Sequence, residues 1–352
     1  MKKLNVAVIF GGSSSEHLVS IGGAKTIISN LNKEKYNVIP IYISKKGVWF
    51  LFKEFDENDI QNINVNKLNK VVLSASTGDE NLLILNGNTY NTIKIDILFP
   101  ALLGLYGEDG TVQGLFEMSG IPYVGCGVLS SAICMDKVFS NNIVATMGIL
   151  QPDYLYYKKG DEINTQYIIS KLNLPCYVKP VRGGSSLGIA RAKTEEELKS
   201  AINLAFEHDN KIILEKEIKG REFKCAVLGN GDENTIASSL GETIFKTSDF
   251  YNYDAKYNDP NTKKQIPADI SDEITKKVQD LSLKIFKALE CSGLARVDFF
   301  YEETTGQILY NEINTFPAFT GVSMYPALCK HMGYPLEKLL DTLIQISLNA
   351  ER

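Results

Sequence analysis

Histidine is scarce, with three in 352 residues, and the six cysteines (Cys126, Cys134, Cys176, Cys225, Cys291, Cys329) are scattered with no C-x-x-C pair. That combination excludes a zinc site built on clustered Cys and His, and it reads as reduced, buried thiols of a cytoplasmic protein instead of a disulfide framework. No apolar run approaches the ~18 residues that would span a bilayer, so no membrane association is expected. The opening "MKKLNVAVIFGG" runs into a Gly-Gly turn and not a cleavage site, and so does not read as a signal peptide. Net charge is only −5, which gives no general attraction to nucleic acid, so any anionic ligand must be caught locally. What remains, 44% hydrophobic and 22% charged residues, is ordinary for a globular chain long enough to hold two or three domains.

The first segment, residues 1–135, alternates strand and helix signals: "LNVAVIF", a Gly-Gly turn, "SIGGAKTIISNL", "NVIPIYIS" and "IDILFPALLG". This predicts an α/β domain with a parallel sheet, carrying an Asn-rich hairpin insertion at about residues 52–93. A second segment, residues 136–214, holds the helix "DKVFSNNIVATMG", the strands "DYLYY" and "PCYVKPV", and the helix "TEEELKSAINLAFEHD". The third, residues 215–352, has the strands "REFKCAVLG", "LARVDFFY" and "QILYNEIN", the long helix "DEITKKVQDLSLKIFKALEC" and the terminal helix "PLEKLLDTLIQISL". Within it, at about residues 245–265, a long polar and aromatic stretch without period reads as a lid or binding loop.

Four stretches carry chemistry. "LARVDFFY" and "QILYNEIN", joined by "EETTG", predict an antiparallel hairpin. A turn centred near Thr304 sets Arg296 opposite Glu312, with Asp298 and Asn314 on the same face. Two carboxylates and an amide oxygen suit Mg²⁺; the alternative is a solvated polar face. In "YVKPVRGGSSLG", Lys179 precedes a Gly/Ser loop whose backbone N–H groups can surround a phosphate, although the order is not that of a Walker loop and a plain flexible turn is the alternative. "IILEKEIKGREF" places Glu215 at a strand end and Glu222 one loop later, either acceptors for a nucleotide or ordinary surface acids. "FGGSSSEH" is a strand, a glycine turn and a Ser-rich helix start, which also fits a simple helix cap.

Taken in order, "GGSSSEH", "GEDG", "CMDK", "VKPVRGGSSLG", "EKEIKGREF", "YDAKY", "ARVDFF" and "NEINTFPAFTGVSMYP" resemble the D-alanine:D-alanine ligases of the ATP-grasp superfamily over essentially the whole chain. The resemblance implies an N-terminal α/β domain followed by two α+β domains that clasp a nucleotide. It also implies ATP-dependent joining of two D-alanines through an acyl phosphate, a homodimeric assembly, and small molecules as the only other partners. By the same likeness Lys137, Lys179 and Lys256 contact ATP phosphates, Glu215 and the backbone at Ile218 the adenine, and Glu222 the ribose. Asp298, Glu312 and Asn314 hold two Mg²⁺ ions, with Mn²⁺ able to replace them. Glu16 pairs with the first D-alanine's ammonium and is linked to Ser185 and Tyr257. Arg296 and the Ala318 N–H form the oxyanion hole, and Ser323 with Met324 binds the second substrate's carboxylate.

The chain departs from the family pattern at Leu103, where a His is usual, at Leu18 in place of an acid, and at Ala318 and Gly321 in the "PAFTG" turn. These changes bear on the first subsite. Tyr257 in the lid and Met324, where serine-preferring relatives tend to carry Arg, point to D-alanine as acceptor. A D-serine-type ligase is the alternative, and a non-ligating nucleotide binder is a third reading.

Overall fold

The computed structural model describes residues 2–52, 63–76, 81–184, 187–244 and 263–350. Three sheets organise them. The first begins with β1 (Leu4–Gly11), whose "VAVIF" core is fully buried, the unbroken apolar run of a strand covered on both faces. β1 runs parallel to β2 (Tyr36–Ile43) on one side and to β7 (Ile97–Ala101) on the other. The helix α1 (His17–Asn30) supplies the crossover between β1 and β2. The insertion continues this same sheet with antiparallel strands, β3 (Trp49–Leu51), β4 (Asn69–Leu73), β5 (Asn81–Asn86) and β6 (Thr89–Lys94), in the order β6-β5-β4-β3-β2-β1-β7. β6 ends the sheet with the polar "TYNTIK", as an exposed edge requires. Two short helices that the sequence reading did not anticipate, α2 (Thr111–Ser119) and α3 (Val128–Met135), lead out of this unit.

The second sheet, order β10-β9-β11-β8, is antiparallel and built from β8 (Tyr154–Lys158), β9 (Cys176–Pro180), β10 (Ala190–Ala192) and β11 (Lys211–Lys216). The helices α4 (Lys137–Thr146), α5 (Thr165–Leu172) and α6 (Glu195–His208) accompany it. α6 starts where Thr194 accepts the Glu197 N–H at 3.2 Å, with three glutamates in its first turn, a start that suits the positive end of the helix dipole.

The third sheet, order β14-β13-β12-β15-β16, comprises β12 (Arg221–Gly229), β13 (Ile236–Ile244), β14 (Lys263–Gln265), β15 (Gly293–Glu302) and β16 (Gln307–Asn314). The helix α7 (Asp272–Ala288) packs on it, and α8 (Met324–His331) and α9 (Leu336–Leu348) close the chain. The loop expected at about 245–265 lies, up to residue 262, outside the described residues, as do Ser185, Lys256 and Tyr257. Among the described residues no helix is long and apolar enough to cross a membrane.

The β15–β16 register differs from the expectation. Arg296 stands opposite Asn314, and Asp298 opposite Glu312. The loop between Glu302 and Gln307 has four residues, so the turn centre moves half a residue past Thr304, and a bulge leaves Asn311 without a partner between the Asp298–Glu312 and Phe299–Tyr310 pairs. Each offset alone would turn one strand's side chains to the opposite face; the two together shift the pairing by two and restore it. The four polar residues therefore still share one face.

Candidate functional site

That face forms one wall of a cleft of about 560 Å³ lined by the second and third sheets and by loops of the first unit. Of the residues given a catalytic, nucleotide, substrate or metal role in the sequence analysis, every one that lies within the described segments lines it: Glu16, Lys137, Lys179, Glu215, Ile218, Glu222, Arg296, Asp298, Glu312, Asn314, Ala318, Ser323 and Met324.

At the donor end, Glu16 precedes α1 and is 8% exposed. A Cβ on Gly184 would lie 2.5 Å from its Oε2, and one on Gly104 2.9 Å. The Glu16 carboxylate is therefore held between the glycine loop of the second sheet and the turn after β7, and only glycine permits that approach from both sides. Leu103, at the position where a His is usual, is a buried apolar wall here, whereas Leu18 is 69% exposed and does not line the cleft.

On the second sheet, the Lys179 ammonium on β9 is ion-paired with Glu215 on β11. Burial disfavours the charged lysine, but the facing Glu215, helped by Glu312 and Glu222, outweighs it and holds Lys179 above its ordinary range. Lys137 enters from the first turn of α4, where Asp136 caps the helix by accepting the Val138 and Phe139 N–H groups, each at 3.1 Å. Its Nζ donates to Gly183 O at 3.2 Å and lies 3.4 Å from Glu312 Oε2, so it ties the glycine loop to the third sheet.

On that sheet Arg296 grips Asp298 in a bidentate pair, Nε to Oδ1 at 2.7 Å and a terminal nitrogen to Oδ2 at 2.6 Å. Lys224, opposite Asp298 on β12 and 3% exposed, lies 3.1 Å from Glu222 Oε1. Sequence reasoning missed Lys224; its signal was the period-two polar pair Glu222 and Lys224 inside an otherwise apolar strand. It also missed Glu108, which lines the donor end of the cleft although "GEDG" had been noted.

The donor set of Asp298, Glu312 and Asn314 fits a hard divalent cation. All three can offer oxygen, Asp298 keeps lone pairs free beyond its two bonds to Arg296, and the buried Asn314 amide nitrogen has no hydrogen-bond partner among the described residues. Since amide O and N are interchangeable by a flip, the carbonyl oxygen can take the place of this unpartnered nitrogen.

The turn that follows β16 leads into α8. Ala318 is not among the residues with positive φ, so its Cβ costs nothing there, and a Cβ on Gly321 would meet open space. Ser323 sits at the N-cap of α8, its Oγ accepting the Thr320 N–H at 3.0 Å. The Met324 thioether packs onto Gly241, where an added Cβ would come within 2.7 Å of the sulfur. The first backbone N–H groups of α8, at this end of the cleft, have no partner within the helix, as at any helix start.

Two antiparallel sheets closing on a cleft lined by buried lysines and oxygen donors, beneath an α/β unit that adds a carboxylate, define an ATP-grasp protein. The family description "D-ala D-ala ligase N-terminus" matches residues 5–126, and "D-ala D-ala ligase C-terminus" matches residues 143–345. The chain belongs to the D-alanine–D-alanine ligase family. It is 45% identical to the D-alanine–D-alanine ligase of Caldicellulosiruptor bescii, covering 100% of this chain and 97% of that one, and 40% identical to D-alanine–D-alanine ligase B of Clostridium tetani, covering 99% and 95%. Among solved structures it is similar to the VanG D-Ala:D-Ser ligase from Enterococcus faecalis (TM-score 0.88, 40% identity, 98% of this chain and 100% of that one). It is likewise similar to the Bacillus anthracis D-alanine–D-alanine ligase complexed with ATP (TM-score 0.73, 31% identity, 98% and 97%).

Proposed function

We propose that the protein joins two D-alanines into D-alanyl-D-alanine at the expense of ATP, supplying a precursor of peptidoglycan. The observation that carries the reading is the convergence on one cleft of Glu16, the partly buried Lys137 and Lys179, and the Arg296, Asp298, Glu312 and Asn314 face.

A carboxylate lacks a leaving group, so the first D-alanine must be activated. Glu16 would hold its ammonium, leaving its carboxylate to attack the γ-phosphate of ATP and form an acyl phosphate and ADP. Lys137 and Lys179 stand on the phosphate side of the cleft and would offset the negative charge moving there, with Glu215 keeping Lys179 protonated. Ile218 and Glu222 would face the adenine and ribose. Asp298, Glu312 and Asn314 would hold two Mg²⁺ ions, which when bound neutralise phosphate charge. The amine of the second D-alanine, its carboxylate at Ser323 and the Met324 N–H, then attacks the acyl carbon and phosphate leaves. Arg296 and the Ala318 N–H would stabilise the tetrahedral oxyanion, an effect of about 3–4 kcal/mol per donor. Lys256, Tyr257 and Ser185 are proposed partners of the phosphate and of Glu16 on the strength of the family likeness alone, as are a cytoplasmic location and a homodimer.

The test is incubation of the purified protein with ATP, Mg²⁺ and D-alanine, following phosphate and product mass. D-alanyl-D-alanine from D-alanine alone is expected; no phosphate release with any D-amino acid would overturn the reading. The likeness to a D-Ala:D-Ser ligase favours one second reading, and a product formed only when D-serine is added would establish it. Gly184→Ala is expected to raise KM for D-alanine about ten-fold or more, because the new Cβ displaces the Glu16 carboxylate. A KM within two-fold of the parent would remove Glu16 from the donor subsite.

A further inference from the structure

Glu108 has no role in the mechanism above, yet it faces the donor end of the cleft with Glu16. Both acids rest on the same glycine. The Gly104 N–H donates to Glu108 Oε2 at 2.6 Å, and the other side of Gly104 lies against Glu16 Oε2. The surroundings do little to separate two negative charges. Leu103 contributes an apolar wall from the end of β7. The turn after β16 contributes the Phe316 N–H, and β15 contributes Arg296, whose guanidinium is already held by both oxygens of Asp298.

We propose that Glu108 is the second carboxylate of the ammonium subsite: it carries a proton while the cleft is empty and releases that proton to solvent when the donor amino acid's ammonium binds beside Glu16. The proposal rests on the ligase reading and deepens it. Burial, then the Glu16 charge, pushes the Glu108 carboxyl up to about 8, against the pull of the Gly104 and Phe316 N–H groups and Arg296. At pH 7 the protonated form is then favoured. An ammonium group within ~4–6 Å typically lowers a carboxyl pKa by ~1–3 units, which leaves Glu108 between about half and fully ionised at pH 7. The balance is simple: one carboxyl O–H is broken, its proton goes to solvent, the ammonium keeps its three hydrogens, and no electrons are transferred. The paired carboxylates then meet the cation with matched charge, and the cleft selects a primary ammonium over a neutral amine or a hydroxy acid at this position.

The experiment is titration calorimetry of the full chain with D-alanine, in the presence of Mg²⁺ and a β,γ-imido analogue of ATP. Two buffers of different ionisation enthalpy are used, at about pH 7 and about pH 9. Release of roughly half to one proton per donor bound is expected at the lower pH, falling towards zero at the higher pH, where Glu108 is already mostly ionised in the empty cleft. Glu108→Gln is expected to bind D-alanine with up to about ten-fold weaker affinity and to lack that release. No release by the parent at pH 7, release that stays constant from pH 7 to pH 9, or undiminished release by Glu108→Gln overturns the proposal. The parent pH comparison alone decides it should the variant not fold. Ligation of D-alanine is assayed on the same preparation. A protein that ligates without releasing a proton overturns the role of Glu108 and leaves the ligase reading standing, while one that neither binds nor ligates D-alanine overturns both.

Discussion

Asp298→Asn is expected to lower D-alanine-dependent phosphate release by about 10³-fold or more, and to lower thermal stability as well. Asp298 is 1% exposed and accepts two short bonds from Arg296. In the mechanism proposed above its carboxylate would serve twice, as an oxygen donor for the divalent cation and as the clamp that aims Arg296 at the reacting carbonyl. Asparagine is nearly the same shape but brings one oxygen and no charge. A cation ligand is weakened, and Arg296 keeps one acceptor but faces an N–H where it met an oxygen. Loss of a single oxyanion donor typically costs ~10²–10³ in kcat, so misaiming Arg296 and weakening the metal together account for the larger figure. Uncompensating a buried ion pair typically costs ~3–5 kcal/mol, and the retained acceptor places this variant at the lower end. Phosphate release over a range of Mg²⁺ concentrations, with a melting curve beside it, checks both effects. Turnover unchanged at every Mg²⁺ concentration would take Asp298 out of the metal site.

Much of this site was legible because its residues lie at strand ends and turns, where polar groups interrupt apolar runs. Glu312 and Asn314, two apart at the end of "QILYNEIN", must share a face whatever the strand pairs with. The strand "REFKCAVLG" was legible from its largely apolar run, buried from Phe223 to Gly229, and the helix "PLEKLLDTLIQISL" from an apolar period that matches its buried face. The β15–β16 register was not legible, because a four-residue loop and a bulge at Asn311 are settled by packing and leave no mark in the alternation of the strands. Nor were α2 and α3, short segments supported by tertiary packing, α2 on the core of the first sheet and α3 beside β16. Glu108 and Lys224 escaped for another reason. Each looks like a surface charge in its own stretch, and becomes notable only when folding sets Glu16 beside the first and Asp298 opposite the second.

Lys179→Met is expected to destabilise the fold by about 3–5 kcal/mol, and Lys179→Met combined with Glu215→Leu to recover most of that loss without recovering activity. The two side chains are only 13% and 7% exposed, so removing the lysine alone leaves a carboxylate buried without its cation, the costly half of breaking such a pair. Replacing both with apolar groups of similar volume removes the unpaired charge, and buried pairs exchanged in this way are often neutral in stability. The coupling between the two sites, read from a double-mutant cycle of denaturant midpoints, is then a few kcal/mol. Catalysis follows a different rule. In the proposed mechanism Lys179 would present its charge to the transferring phosphate, and Glu215 keeps that charge in a place where burial opposes it, so the stable double variant is expected to stay below about 1% of parental turnover. A double variant that regained both stability and turnover would make the pair a structural contact and move phosphate binding to Lys137 and the glycine loop. One that regained neither would show that the cleft cannot repack around two apolar side chains.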